Sequence, residues 1–191
     1  TINNAGTFAY NGSGTYTVYN VALNNSGMVE VLSGGTLALQ GGGTSTGDYN
    51  VGALSALTMG GGHSLTGSDF VTGAGSTTTF DGSPTQSITN ITMTGSGDFV
   101  KSGSSTLTAT HSTTLALPGN FTQSGGIIDG TSNWTIAGGA TVTGGTFANI
   151  GNVAIAGVMS WTGGQIGNSG VTGTVTVSGM VTMSGVSQKI L

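Results

Sequence analysis

The sequence predicts an all-β fold, a parallel β-helix (β-solenoid) of about 20 residues per coil and roughly nine coils. Three observations carry this. Glycine punctuation recurs at a fixed step: Gly27-Met28-Val29, Gly47-Asp48-Tyr49 and Gly67-Ser68-Asp69-Phe70 each open a short apolar segment, 20 residues apart. Asn3-Asn4-Ala5-Gly6 and Asn24-Asn25-Ser26-Gly27 repeat with a step of 21. Apolar residues alternate with period two, the strand signature, and no stretch places them at helical spacing among helix-forming neighbours. A fixed period of this size means stacked units presenting an extended surface, not a globule around one cleft.

The strands follow in order. Val29, Val31, Leu37 and Leu39 alternate with Met28, Glu30, Thr36 and Ala38, broken at Ser33-Gly34-Gly35. The alternation returns at Ile88, Ile91 and Met93, at Leu115 and Leu117, and at Ile136 and Val142. It closes with Val153 and Ile155, Val175 and Val177, and Val181 and Met183. Breaks carry Gly, Ser, Asn and Asp, and Gly, Asn and Asp tolerate the positive φ of tight corners. Inward side chains are expected to be Val, Ile, Leu, Met and Phe stacked coil on coil, with Thr, Ser, Asn and Gln outside. Strands about 4.8 Å apart make nine coils a rod roughly 45 Å long.

The phase slips between Phe70 and Gly97, and Ser83-Pro84 with Thr85-Gln86-Ser87 reads as a loop or a coil of different length. Gly125-Gly126, Gly144-Gly145 and Gly163-Gly164 then set a tighter step of 19. The expectation is one continuous solenoid over 1–191, irregular around 80–120 and part of a longer repeat protein. Neither end reads as a polar cap, so further coils or neighbouring copies are expected to cover them.

Composition narrows the function classes. Of 191 residues 38 are Gly, 36% are hydrophobic and only 4% are charged. Low-complexity disorder normally combines low hydrophobicity with high charge, the opposite of this chain. Six acids (Glu30, Asp48, Asp69, Asp81, Asp98, Asp129) face two lysines (Lys101, Lys189), and there is no Arg. Nucleic acid as a partner is disfavoured, because phosphate neutralisation rests on Lys and Arg. No apolar run reaches the roughly 18 residues of a spanning helix, so membrane insertion is not expected. With no Cys, disulfides and thiolate metal sites are ruled out.

Candidate chemistry is thin. Asp48, Asp69 and Asp98 each follow a Gly or Gly-Ser and precede an aromatic, and Asp48 and Asp69 are 21 apart. Stacked coils would bring that pair together as a carboxylate pair for catalysis or Ca²⁺, or else each caps its own backbone at a turn; the turn reading is preferred. His63 and His111 have no motif beside them, and Gly60-Gly61-Gly62 lacks the Lys and helix of a phosphate loop. No catalytic, metal or cofactor residue is therefore assigned, and the chain is expected not to be an enzyme. Outward threonines offer a different surface: Thr92 and Thr94, Thr106, Thr108 and Thr110, Thr141 and Thr143, Thr174 and Thr176. Such pairs suit the flat face of an ice-binding solenoid, but their uneven steps argue against a single ladder. Trp134, Trp161, Tyr10, Tyr16, Tyr19 and Tyr49 are candidate sugar platforms if exposed, although Trp134 shares a face with Ile136, which favours the core. Asn11, Asn24, Asn90, Asn120 and Asn133 open glycosylation-type triplets of the kind chance produces in such a composition.

The strings NNSGMVEVLSGGTLALQGGGTSTGDYNV and GATVTGGTF resemble the Gly/Thr/Ser-rich β-strand repeats of large bacterial surface proteins. These are filamentous-haemagglutinin-like exoproteins and the passenger regions of autotransporter adhesins. The resemblance runs from about Gly6 to Met183 and matches no catalytic motif. It implies right-handed coils, in line with the bias of parallel crossovers, and an extracellular, surface-attached or filament-forming segment. Expected partners are further coils of the parent chain or identical copies, with glycans or cell surfaces as alternatives. The expected function is a structural fibre or stalk segment; a glycan-binding adhesin module, an ice-binding solenoid and a polysaccharide-degrading enzyme are the other readings.

Overall fold

The computed structural model describes residues 1–32, 34–82, 84–148, 151–167 and 173–185. Ser33, Ser83 and Lys189, which entered the sequence reading, lie outside them. The chain is all-β, a solenoid whose coils each supply one strand to each of three faces. Among the described residues all strand pairs are parallel, as adjacent coils running in one direction require. The first face stacks nine strands, from Ile2–Asn4 through His63–Thr66 and Thr106–Thr110 to Gln165–Ile166. A second set of nine, from Thr15–Val18 to Val181–Met183, makes the third face. Nine strands on a face correspond to about eight full turns.

The second face is split. Five strands, Thr7–Tyr10 to Thr92–Gly95, form one sheet, and four, Leu115–Leu117 to Val175–Val177, form another. The break coincides with a corner where His111 turns inward. Its Nε2 accepts the Ile91 N–H at 3.2 Å and its Nδ1–H donates to Ser132 Oγ at 2.8 Å. The coil length also slips just before this: Ser64 pairs with Ser87 and Asp69 with Thr92, steps of 23. Two extra residues sit at the corner between the third and first faces, because Met59 pairs with Phe80 and Ser64 with Ser87. Gln86 and Ser87 belong to the strand Gln86–Thr89, so the extra length is confined to the corner ahead of them. Gln86 closes that corner from inside, its Nε2 2.6–3.0 Å from the carbonyls of Met59, Gly61 and Asp81. From Ile127 to Gln165 the step tightens to 19 (Ile127 to Thr146, Thr146 to Gln165), with Gly126, Gly145 and Gly164 at φ 65–76° at the corners, and it widens to 22 from Val153 to Val175 and from Met159 to Val181. Elsewhere glycine is needed for proximity: a Cβ on Gly47 would lie 2.2 Å from the Gly27 carbonyl oxygen.

The core is a set of vertical columns. On the second face Phe8, Val29, Tyr49, Phe70 and Met93 stack, with the Tyr49 and Phe70 rings 4.6 Å apart and nearly parallel. In the later coils Trp134 stands edge-on to Phe99 and Phe147 and steeply tilted to Phe121, at 5.5–5.9 Å. Such contacts add about 0.5–1.5 kcal/mol each beyond burial.

The expectation that Asn and Gln face outward needs correction. Asn25, Ser45, Gln86, Gln123 and Lys101 are buried. Corners leave backbone carbonyls and amides without a ladder partner, and a buried polar group without one is costly. Amide side chains fill that need: Asn4 Nδ2 donates to Asn25 Oδ1 at 2.7 Å and to the Met28 carbonyl at 2.8 Å. Lys101 lies in an inward column between Phe80 and Gln123 and donates to the Ser102 carbonyl and Ser105 Oγ. Burial holds its pKa below the usual lysine range, partly offset by the Asp81 charge.

Candidate functional site

A site must be sought on the outward positions, because the interior is packed. Among the described residues no group of three or more His, Asp or Glu is placed to hold a metal. His63 is buried, its Nε2 3.0 Å from the Leu39 carbonyl. Burial lowers the pKa of both His63 and His111. Tyr49 is likewise interior, and burial pushes its hydroxyl up to about 12 despite hydrogen bonds with Ser45 and Asn25.

The acids are structural in a way the sequence reading did not foresee. Asp48 and Asp69 do stack on the second face, with Asp69 above Asp48 and Thr92 above Asp69. Asp48 Oδ1 accepts the backbone N–H of Asp69 at 3.1 Å, and Asp69 Oδ1 accepts the Thr92 hydroxyl. Each carboxylate therefore serves the next coil rather than capping its own turn. Asp98 does the same on the third face, accepting from Asn120 N and Nδ2 at 2.9 and 3.0 Å. Asn120, Asn133 and Asn152 continue the habit, each accepting the backbone N–H of the coil above.

Trp134 and Trp161, considered as surface platforms, are 1% and 2% exposed and belong to the core. Each occupies an inward column, Trp134 above Leu115 and Trp161 above Val142, so the pleat directs the rings inside. Of the other candidate platforms Tyr49 is buried, whereas Tyr16 (54%) and Tyr19 (71%) in the first coil are exposed, with the Tyr16 ring stacked 5.8 Å from Tyr10.

The threonine pairs are distributed over the solenoid. Thr92 and Thr94 lie on the second face, and Thr141 on the third with Thr143 just beyond its strand. Thr176 is on the later part of the second face with Thr174 just before its strand. Only Thr106, Thr108 and Thr110 stand on the first face, and these join an array that a search for Thr-x-Thr alone misses. Ser64 pairs with Thr44 on one side and Ser87 on the other, and Ser87 pairs with Thr108. Two residues along each strand, Thr66, Thr89 and Thr110 pair in the same way. Thr46 and Thr131 extend this second column by one coil at each end, their N–H groups bonded to the Asn25 and Ala109 carbonyls. The motif is Ser/Thr-x-Thr in four coils, with Asp129-Gly130-Thr131 in a fifth, at steps of 20, 23, 21 and 21. The first column is tied along the solenoid axis, with the Ser87 hydroxyl donating to Ser64 Oγ at 3.0 Å and Thr44 Oγ1 to Asn24 Oδ1 at 3.2 Å. In the second column Thr46, Thr66, Thr110 and Thr131 are exposed.

The third face carries a longer, single outward column: Thr17, Ala38, Thr58, Thr79, Val100, Thr122, Thr141, Ser160 and Thr182. Ala38 and Val100 interrupt its hydroxyls. No protein-family model, curated protein or solved structure matches the chain.

Proposed function

We propose that the chain is a non-enzymatic structural segment of an extracellular surface fibre, stalk or filament, adhesin-like and self-associating. The observation that carries this reading is the continuity of the first and third faces through all nine strands, with outward columns made almost wholly of uncharged side chains. Unbroken parallel ladders and stacked inward columns give a stiff rod. Scarce charge lets such rods lie side by side without repulsion.

The side chains of the outermost described coils favour stacking over glycan capture. Tyr16 occupies the same inward column as Leu37, and Val181 and Met183 the same columns as Met159 and Trp161. Among the described residues no coil lies against them on one side, and a further coil or a second copy would cover them. The pairing of Asp48 and Asp69 with the backbone of the next coil supports a structural role for both carboxylates. Negative-stain electron microscopy and fibre diffraction of the purified chain test the reading. Filaments with a reflection near 4.8 Å along the fibre axis are expected. Short monodisperse rods that bind a glycan array through Tyr19 would replace self-association with the adhesin-module reading.

A further inference from the structure

We propose that the first face also binds the surface of crystalline water, through the double column of Ser/Thr-x-Thr hydroxyls. The registered pairs place the residues that bear these hydroxyls about 4.8 Å apart along the solenoid axis and about 6.6 Å apart along each strand, and the Ser87 and Ser64 hydroxyls themselves draw together to 3.0 Å. That is a two-dimensional rank of oxygens with spacings of the same order as those on the planes of ice. Every threonine also presents a methyl group, so the face alternates groups that anchor water with groups that cage it.

Three features make the rank rigid. Threonine is β-branched, with few χ1 rotamers to lose when water orders against it. The first column is cross-linked by the Ser87–Ser64 and Thr44–Asn24 bonds. Each coil also contributes to three faces, so the twist of an open sheet cannot accumulate on one of them without dragging the others. Charge complements the proposed ligand: in the two columns over these coils only Asp129, at one end, is ionisable, and it accepts the neighbouring Gly130 N–H at 2.7 Å. A neutral lattice meets a neutral face. The third face lacks this character, because Ala38 and Val100 interrupt its column.

Thermal hysteresis, inhibition of ice recrystallisation and partition into a growing ice hemisphere test the proposal on the full chain. The expected result is measurable hysteresis and enrichment in the ice fraction. Thr66→Tyr and Thr110→Lys, both exposed and in different coils, are each expected to remove most of it. Thr94→Tyr, equally exposed on the second face, is expected to leave it unchanged. Circular dichroism confirms that each variant retains the β-solenoid; if one does not fold, the other carries the test. The proposal is overturned if the native chain lacks ice activity, including the case where it adsorbs to crystalline cellulose or chitin instead. It is also overturned if Thr94→Tyr loses as much activity as the folded first-face variants. Filament formation is scored separately and does not bear on this outcome.

Discussion

Replacing Trp134 with alanine strikes the centre of the later coils, and the cost can be worked from its surroundings. The side chain is buried, and an aromatic of this size removes about 150–250 Å² from water. At about 25 cal/mol per Å² that burial stabilises by about 4–6 kcal/mol. One term opposes it: Trp134 Nε1 is buried without a hydrogen-bond partner among the described residues, at a cost of about 1–3 kcal/mol. The two terms together leave a net loss of about 1–5 kcal/mol, and large-to-small replacements of buried aromatics place Trp134→Ala in the upper part of it, at about 3–5 kcal/mol. Trp134→Phe discards the unpaired N–H while keeping a ring against Phe99, Phe121 and Phe147, so it is expected to cost below about 1.5 kcal/mol. Urea unfolding provides the assay, with Trp161 as the sole remaining tryptophan reporting on the later coils. Because coils contact mainly their neighbours, Trp134→Ala is also expected to uncouple the early coils from the late ones and split the transition. A loss under about 2 kcal/mol for alanine, or equal losses for the two variants, would refute the reasoning.

Two further outcomes follow from buried groups and close corners. His63 and His111 have folded pKa values lowered by burial, so their neutral forms are favoured in the solenoid. Their contribution is full above the unfolded value of about 6.5 and is lost as the pH falls from there through the lowered folded values, at up to about 1.4 kcal/mol per pH unit for each. Thermal melting is therefore expected to weaken between about pH 7 and about pH 5, and less so in His111→Gln; a flat profile in the native chain contradicts this. Gly47→Ala forces a Cβ against the Gly27 carbonyl and is expected to cost about 1–3 kcal/mol by the same unfolding assay, whereas an unchanged midpoint would show that the corner can spread.

Much of the architecture was legible because two simple rules act together. Alternation at Val29 and Val31 and at Leu37 and Leu39 marks the inward columns, and glycine steps of 19–21 mark the coil. The polar interior was hidden because alternation identifies which residues point inward only when they are apolar. Asn25 and Gln123 face inward to serve corner carbonyls, a need that depends on the closed path of the backbone rather than on local pattern. The hydroxyl array was obscured for another reason. Its first column mixes Thr44 and Thr108 with Ser64 and Ser87, and one coil is lengthened to 23, so neither a Thr-x-Thr search nor a fixed period finds it. Trp134 was readable as core from its shared face with Ile136; for Trp161 the alternating pleat beside Met159 carries the same message.

The corner that takes up two extra residues after Phe80 has a consequence for evolution and engineering. Strands on both sides of it keep their pairing, and Gln86 seals the opening from within. Length at this bend is thus decoupled from order along the rod. A lineage could lengthen the excursion there into a projecting finger while the shaft beneath it kept its pitch, and a designer could graft a foreign peptide at the same bend and display it at a fixed height.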